Sequence, residues 1–416
     1  IDRGKAYDED GKAFEGQHMK SAAEYEARLE EYGRAGMKEW YRLTNLPGIG
    51  RKRIEILRSA FDNIVELYEL EKNIGKEKAD EKLVKIFEEA GMTDTKAGIQ
   101  TTVRTLLDED LRKKADIEYE KILHSDVRMV SVDSADYPEK LRDIFDVPYI
   151  LYYKGSLPDK NKHTAAMVGA RACSEYGRRM AKDIAHALAV NDVQIVSGFA
   201  RGIDTAAHTG CLSADDGRTF AVFGSGINYC YPPENRFTYD EIIERGGGII
   251  SEYPPDMKPV PGFFPMRNRI ISGLSDVVLV LEAGKKSGSL ITADHAMEQG
   301  RTVMALPGRV TDSLSAGCNG LIREGAAVIT GMEDIFFELG ISPKEQDKFE
   351  VKKEKNQIEL ANAEKMLYSH LDFNPQGIDD LIRESKLSPE VVSGCLVRLE
   401  LAGLAKRTGG MYVRGK

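Results

Sequence analysis

The chain has 416 residues, of which 42% are hydrophobic and 30% are charged, and its formal net charge at pH 7 is −9. This length and composition indicate a globular protein of several domains, and the acidic charge excludes binding of polyanions through bulk positive charge. The longest apolar runs have only the length of a strand, which excludes a membrane-spanning helix.

The cysteines and the N-terminus indicate the compartment. Five cysteines are scattered along the chain and none has a CxxC spacing, which is typical of a reducing compartment and of a protein without a zinc or other metal site. Residues 1–20 are polar and lack a secretory pattern. We therefore expect a cytoplasmic protein without membrane contact.

The first part of the chain is predicted to be helical. Residues 1–35 indicate a polar arm or helix, and residues 36–125 indicate an all-helical module of the helix-hairpin-helix or SAM-like kind. Its marker is the sequence PGIG at 47–50, followed by RKR at 51–53. Glycines in such a turn allow close approach to phosphate, but a single hairpin also serves as a structural module. Both interpretations stay open from the sequence.

From residue 126 to residue 340, short β-branched runs alternate with helical patterns. This alternation predicts an α/β domain whose parallel sheet is covered by helices on both faces. Ligands of such sheets bind beyond the carboxyl ends of the strands. Several predicted strands end on glycine, so the turns that follow them are the candidate site.

Two of these turns carry an arginine beside glycine. Arg171 precedes Ser174, which is suited to capping the next helix, and Arg201 lies between Gly198 and Gly202. A helix N-terminus, a closely approaching backbone and a guanidinium group are all suited to phosphate. The structural alternative is a tight turn with a surface arginine.

Two other patterns are more ambiguous. Asp204 and His208 are spaced for acid–base chemistry, but a helix cap and a helix-face pair explain them better. The sequence GSG at 224–226 is followed by Tyr229 and Tyr231, whose rings could stack on bases or pack the loop.

The cluster Arg267, Asn268 and Arg269 precedes an apolar helical pattern. It indicates either an anion site at a helix start or ordinary surface arginines, and the Asn268 amide either contacts the ligand or holds the loop.

Further along, Lys286 precedes Ser287 and Ser289 at another predicted helix start, which suits an oxyanion nest. The P-loop order is missing there, so ATP hydrolysis is not indicated. Several such segments at one sheet edge suit an extended polyanion better than one phosphate.

The remainder of the chain is predicted to be a linker and a small domain. Residues 341–357 lack apolar periodicity, and residues 358–416 read as three helices followed by a two-stranded wing, the winged-helix pattern. The third helix offers Arg398 as its only cation, beside Glu390 and Glu400. This charge pattern favours a protein contact or weak duplex binding over sequence-specific reading of DNA.

Between residues 130 and 340 the sequence resembles DNA processing protein A, the DprA/Smf family. The matching blocks include VGARACSEYG at 168–177, SGFARGID at 197–204, FPMRNRIISGL at 264–274, SGSLITA at 287–293 and ALPG at 305–308.

The resemblance implies an extended Rossmann-like domain that binds single-stranded DNA, protects incoming strands and loads RecA recombinase during natural transformation. It also implies a homodimer and contact with single-stranded-DNA-binding protein, and we expect no cofactor and no enzymatic activity. In the family, glycine-rich loops form a basic DNA pocket. Carried over to the matching positions, this nominates as DNA contacts Arg171, Gly198, Arg201, Arg267, Asn268, Arg269, Lys286, Ser287 and Ser289.

Two rival functions stay under consideration. A Rossmann-like enzyme of the phosphoribohydrolase kind would need a carboxylate three residues after Thr292, where this chain has His295. A winged-helix transcription regulator is disfavoured by the single cation on the predicted third helix.

Overall fold

The computed structural model describes residues 36–92, 95–342 and 362–415. The predictions for the arm 1–35 and for most of the linker 341–357 lie outside these ranges. As far as they are described, Ile1–Thr164 and Arg218–Ser275 form one compact unit, called unit 1 below, and Ala165–Gly217 and Asp276–Lys416 form unit 2. The segment predicted as one domain, 126–340, thus contributes to both units, and the predicted domain boundaries stay predictions.

Unit 1 begins with a helical module whose apolar faces pack on one another. Trp40, Leu57 and Leu83 are fully buried in it. Gly48 has a φ of 73°, which lets the chain turn sharply between the first two helices. The helices are α1 (Met37–Asn45), α2 (Arg51–Ala60), α3 (Ile64–Ile74), α4 (Lys76–Glu89), α5 (Lys96–Leu106) and α6 (Glu109–Leu123).

Four strands of unit 1 lie in the order β1-β2-β6-β5. They are β1 (Arg128–Ser131), β2 (Ile150–Gly155), β5 (Thr219–Val222) and β6 (Gly248–Ser251), and helices α9 (Arg236–Glu244) and α10 (Phe263–Gly273) complete the unit. β5 and β6 are parallel, but β1 pairs with β2 and β2 pairs with β6 in antiparallel fashion. The antiparallel strands β1 and β2 therefore extend the predicted parallel sheet at this edge, and β1 was not predicted.

Five strands of unit 2 lie in the order β4-β3-β7-β8-β9. The strands are β3 (Thr164–Val168), β4 (Gln194–Ser197), β7 (Val277–Val280), β8 (Thr302–Ala305) and β9 (Ala327–Val328), and the helices are α7 (Glu175–Val190), α8 (Ile203–Leu212), α11 (Gly288–Glu298), α12 (Ala316–Arg323) and α13 (Met332–Leu339). β3, β7, β8 and β9 pair in parallel. Apolar side chains such as Met167, Leu188 and Ile335 are fully or almost fully buried and form a core with the helices. The predicted α/β fold is confirmed.

The chain order creates a switch point in unit 2. The connection from β3 through α7 leads to β4 on one side of β3, whereas β7 pairs with β3 on its other side. The turns that follow β3 and β7 therefore leave the sheet in opposite directions. Open α/β sheets bind their ligands at such a place.

The C-terminal part of unit 2 is a winged helix, as predicted. Its elements are α14 (Asn362–His370), α15 (Ile378–Ser385), α16 (Pro389–Leu401), β10 (Ala405–Thr408) and β11 (Met411–Arg414). Leu367, Leu381 and Leu396 are fully buried in its core. Across the described ranges no helix is both long enough and apolar enough to cross a membrane.

Candidate nucleic-acid interface

Four turns of unit 2 follow the ends of β3, β4, β7 and β8. The residues of β3, β4 and β7 are buried throughout, and those of β8 are buried except for half-buried Thr302. The turns are therefore anchored in the core of the unit, while the cations they carry reach solvent.

The turn after β3, which carries Arg171, packs against the segment that follows β7. The N–H of Ala170 donates to the carbonyl of Glu282 at 2.7 Å. A side chain at Gly169 would approach that carbonyl to 2.9 Å, so glycine permits the close packing of the two segments. Arg171 itself is exposed, in the position that a phosphate contact needs.

The start of α7, directly after this turn, is already occupied by an anion. The carboxylate of Glu282 accepts the N–H of Ser174 at 2.8 Å and also the hydroxyl hydrogen of Ser174. The Ser174 hydroxyl oxygen in turn accepts the N–H of Gly177 at 3.0 Å. The N–H groups of Ser174 and Gly177 are thus bound to Glu282 and to the Ser174 hydroxyl, which disfavours the expected phosphate contact at this helix start.

The turn after β4 lies directly against the turn that carries Arg171. Gly202 has a φ of 80°, and a side chain there would lie 2.2 Å from the carbonyl oxygen of Ala170. The N–H of Ile203 donates to the same carbonyl at 3.2 Å. Arg201 is exposed, whereas Gly198 is buried and lies beneath the loop surface. Two of the predicted arginines therefore belong to neighbouring turns.

Asp204 and His208, which the sequence left ambiguous, are both buried in this region. Asp204 is buried, and its carboxylate accepts the N–H of Ala200 at 3.2 Å. The ring of His208 is fully buried and lies 5.6 Å from the ring of Phe199. These contacts favour the structural interpretation of the pair over acid–base chemistry.

The turn after β7 leads into the start of α11. Ser287 caps α11, and its hydroxyl lies 2.8 Å from that of Ser289. Ser289 is buried and Lys286 is exposed. This arrangement combines a cation, two hydroxyl groups and the positive end of a helix, which is suited to an oxyanion.

The turn after β8 carries a further cation, Arg309, which we did not predict as a site residue. The side-chain amide of Asn319 clamps the backbone of Gly308, accepting its N–H at 3.2 Å and donating to its carbonyl at 3.0 Å. The side chain of Arg309 is 63% exposed. The signal in the sequence was a glycine and an arginine directly after a strand, the same signal as in the turns of Arg171 and Arg201.

The cluster on α10 in unit 1 differs from its prediction. Arg267 and Arg269 are only 4% and 5% exposed. The guanidinium of Arg267 donates to the carbonyl of Val222, and that of Arg269 forms a fork with both carboxylate oxygens of Glu252 at 2.8 and 2.6 Å. Both interpretations from the sequence placed these arginines at the surface, and the structure corrects this because α10 directs them inward.

The charge of Arg269 is balanced inside unit 1. Its Nε donates to the carbonyl of Asp146 at 2.7 Å and lies 2.9 Å from the Asp146 carboxylate. Burial disfavours the charged guanidinium, but the carboxylates of Glu252 and Asp146 raise the pKa of Arg269 above its ordinary value. Asn268 is half-buried and accepts the Nε–H of Arg267 at 3.3 Å, so its amide contributes to the same internal network.

Aromatic rings border the start of α10. Tyr253 and Phe263 stack with centroids 4.1 Å apart, and Tyr231 lies 5.8 Å from Phe264. A side chain at Gly224 would lie 3.0 to 3.2 Å from Phe264. Of these rings, only Tyr231 is classed as exposed, at 43%. The rings pack the loop, and Tyr231 retains a surface on which a base could stack.

Two cations at the start of α2 in the helical module have partners within unit 1. The guanidinium of Arg51 contacts the carbonyl of Phe145, lies 4.3 Å from the centroid of that ring and pairs with Asp146 at 3.1 Å. Arg53 donates to the carbonyl of Gly48. These contacts favour the structural interpretation of the module over phosphate binding.

On the third helix of the winged helix, α16, the predicted cation has an acidic partner in its own domain. Arg398 pairs with the carboxylate of Glu364 on α14. This pairing raises the pKa of Arg398 further above its ordinary value. Along the same helix, Val397 and Leu401 are 54% and 84% exposed. A helix that reads base edges needs free polar side chains in these positions.

Comparisons with known proteins agree with this architecture. The profile described as DNA recombination-mediator protein A matches residues 128–340, and the profile of the DprA winged helix domain matches residues 351–411. DNA processing protein DprA of Streptococcus pneumoniae is 45% identical over 202 residues, which are 49% of this chain and 71% of that protein. Protein Smf of Escherichia coli is 38% identical over 291 residues, which are 69% of this chain and 77% of that protein.

Two solved structures are similar to this chain. The X-ray structure of DNA processing protein A from S. pneumoniae has 36% sequence identity and a TM-score of 0.54, and the match covers 69% of this chain and 96% of that chain. DNA processing protein A from Helicobacter pylori, described for its single-stranded DNA binding mode, has 30% identity and a TM-score of 0.47 over 51% of this chain and 95% of that chain. The chain therefore belongs to the DNA recombination-mediator protein A family, which confirms the resemblance to the DprA/Smf proteins.

Proposed function

We propose that the chain binds single-stranded DNA without sequence preference, through the turns at the strand ends of unit 2. The observation that supports this proposal best is the direct contact between the turn of Arg171 and that of Gly202, which sets the exposed Arg171 and Arg201 on neighbouring segments. Guanidinium groups on adjacent turns suit successive phosphates of one strand better than a single anion.

The proposed contacts have different tasks. Arg171, Arg201 and Lys286 bind phosphate oxygens, and Ser287 and Ser289 add hydroxyl groups at the start of α11. Gly198 is buried beneath the loop surface and lets the backbone of the turn approach the strand closely. Arg267, Asn268 and Arg269 support their loop from inside unit 1 and act on DNA only indirectly.

The test is a titration of labelled oligo-dT with Arg171→Ala/Arg201→Ala in the full chain. Losing two charge-assisted contacts should raise the Kd by about ten-fold or more. The matched control is Arg323→Ala/Arg383→Ala, which removes two arginines whose side chains are 82% and 75% exposed in unit 2. Unchanged affinity of the first variant, or equal weakening of both, would contradict the site.

We infer a wider role from the resemblance to the family. The protein acts as a homodimer that protects incoming strands and loads RecA recombinase during natural transformation, beside single-stranded-DNA-binding protein. It acts in the cytoplasm and as a binding protein, without an enzymatic step. The measurement is the rate at which RecA hydrolyses ATP on oligo-dT coated with single-stranded-DNA-binding protein. The chain should accelerate it, and Arg171→Ala/Arg201→Ala should not.

A further inference from the structure

The winged helix covers part of the proposed DNA-binding edge of unit 2. The carboxylate of Asp372 contacts the guanidinium of Arg309, in the turn after β8. The neighbouring Phe373 places its ring centroid 6.1 Å from that of Tyr176 and 5.4 Å from the guanidinium carbon of Arg179. Tyr176 and Arg179 lie on the first turns of α7, soon after Arg171.

The covering residues are held by their own domain. One carboxylate oxygen of Asp372 accepts the N–H of Phe373 at 2.6 Å, and the Asp372 carbonyl accepts the N–H of Arg414 in the wing at 2.7 Å. The Asp372 N–H donates to the side-chain oxygen of Gln376 at 2.9 Å. The acidic group and the aromatic ring are therefore presented together as one preformed unit.

These two groups resemble a nucleotide in their chemistry. Asp372 offers an anion to a guanidinium, as a phosphate does, and Phe373 offers a flat ring to Tyr176 and Arg179, as a base does. Partial burial opposes ionisation of Asp372, but the contacts with Arg309 and with the Phe373 N–H hold its pKa below the ordinary value. The carboxylate is therefore charged at neutral pH.

The cover is attached by contacts that are easily exchanged. The side chains of Arg309 and Asp372 are 63% and 36% exposed, and a second pair, Lys406 with Glu175 at 3.5 Å, is also exposed. Exposed ion pairs contribute little to stability and are screened by salt. A strand whose phosphate reached Arg309 would replace one anion by another.

We propose that Arg309, Tyr176 and Arg179 form a further subsite for one nucleotide of single-stranded DNA, which Asp372 and Phe373 of the winged helix occupy until a longer strand displaces them. This inference rests on the proposed function. Short strands bind beside the cover, and strands that reach the subsite compete with the winged helix.

The test compares full-chain variants by titration with labelled oligo-dT of about 4 and about 16 nucleotides, the two ends of the range of single-strand sites. Asp372→Asn/Phe373→Ala removes the occupant, and Arg309→Ala removes the subsite. Asp380→Asn is the matched control, since its carboxylate lies in the same domain and pairs with Arg383 instead. Thermal melting of each variant reports whether it is folded.

Removing the occupant should lower the Kd for the long strand by about three- to ten-fold, because the competent fraction rises, and should leave the short strand unchanged. Adding Arg309→Ala should cancel the gain. If the long strand gains nothing, or if the gain persists without Arg309, the inference is overturned while the proposed function stands. If neither strand binds any folded variant or the wild type, the proposed function itself fails.

Discussion

At the scale of single residues, exposure separates two kinds of arginine that look alike in the sequence. Arg171 and Arg201 are exposed on turns of unit 2, whereas Arg267 and Arg269 are buried on α10. A buried guanidinium with carboxylate partners stabilises the fold only while its partners remain, because a single charge left behind is poorly solvated. The two pairs should therefore respond differently to substitution.

We expect Arg269→Ala to destabilise the protein by about 3 kcal/mol, because it leaves the carboxylates of Glu252 and Asp146 without their fork. Urea denaturation measures this loss. Arg269→Lys keeps the charge but not the bidentate geometry, so a smaller loss is expected. A folded Arg269→Ala protein of normal stability that no longer binds oligo-dT would show instead that this side chain acts on DNA directly.

The sequence allowed the outward arginines to be predicted, but not the inward ones. The turns of Arg171 and Arg201 carry a local signal, namely glycine and arginine directly after an apolar strand. The acceptors of Arg269 lie 123 and 17 residues away, at Asp146 and Glu252, and no local pattern links them. The contact between Asp372 and Arg309 is similarly distant in sequence, at 63 residues.

At the scale of elements, alternation of strands and helices was enough to predict the α/β fold, and three helices followed by a two-stranded wing predicted the winged helix. The antiparallel pairing of β1 and β2 was not predictable in this way, because an edge strand of four residues has no pattern of its own. Whether a strand pairs in parallel or antiparallel fashion also depends on which neighbouring strand it pairs with, and this is decided by tertiary structure. The same holds for the contact between the turns after β3 and β4, which only the structure shows.

We expect Gly202→Ala to destabilise unit 2 and to weaken binding of oligo-dT together. Its φ of 80° disfavours any side chain, and the new methyl group would collide with the carbonyl of Ala170. A loss of about 2 kcal/mol is expected in urea denaturation.

The control is Gly320→Ala on α12, where nothing lies within 4 Å of the added carbon. Alanine there should stabilise the helix by about 0.5 to 1 kcal/mol and leave DNA binding unchanged. If Gly202→Ala behaved like Gly320→Ala, the close contact between the two turns would have no role in shaping the site.

At the scale of the whole molecule, a net charge of −9 sets a limit on how DNA is bound. Because the protein as a whole is acidic, attraction of DNA must come from a few cations at the binding site. The affinity for DNA should therefore depend only modestly on salt concentration. Three phosphate contacts, by Arg171, Arg201 and Lys286, give a slope of about −2 for log K against log salt concentration on single strands. Titrations across a salt series measure this slope, and a value near zero or far steeper would contradict three contacts.

The carboxylate of Glu282 at the start of α7 affects how the protein responds to the free nucleotides of a cell. In folds of this kind, the phosphates of NAD and of other nucleotides commonly bind at the N-terminus of the helix that follows the first strand. In this chain the Glu282 carboxylate accepts the Ser174 N–H at that position, where it would repel the phosphate of a free nucleotide. We expect ATP at millimolar concentration to leave oligo-dT binding unchanged once ionic strength is matched, and Glu282→Gln to make binding sensitive to ATP. Under the proposed function, Glu282 thereby favours strands of DNA over the excess of free nucleotides.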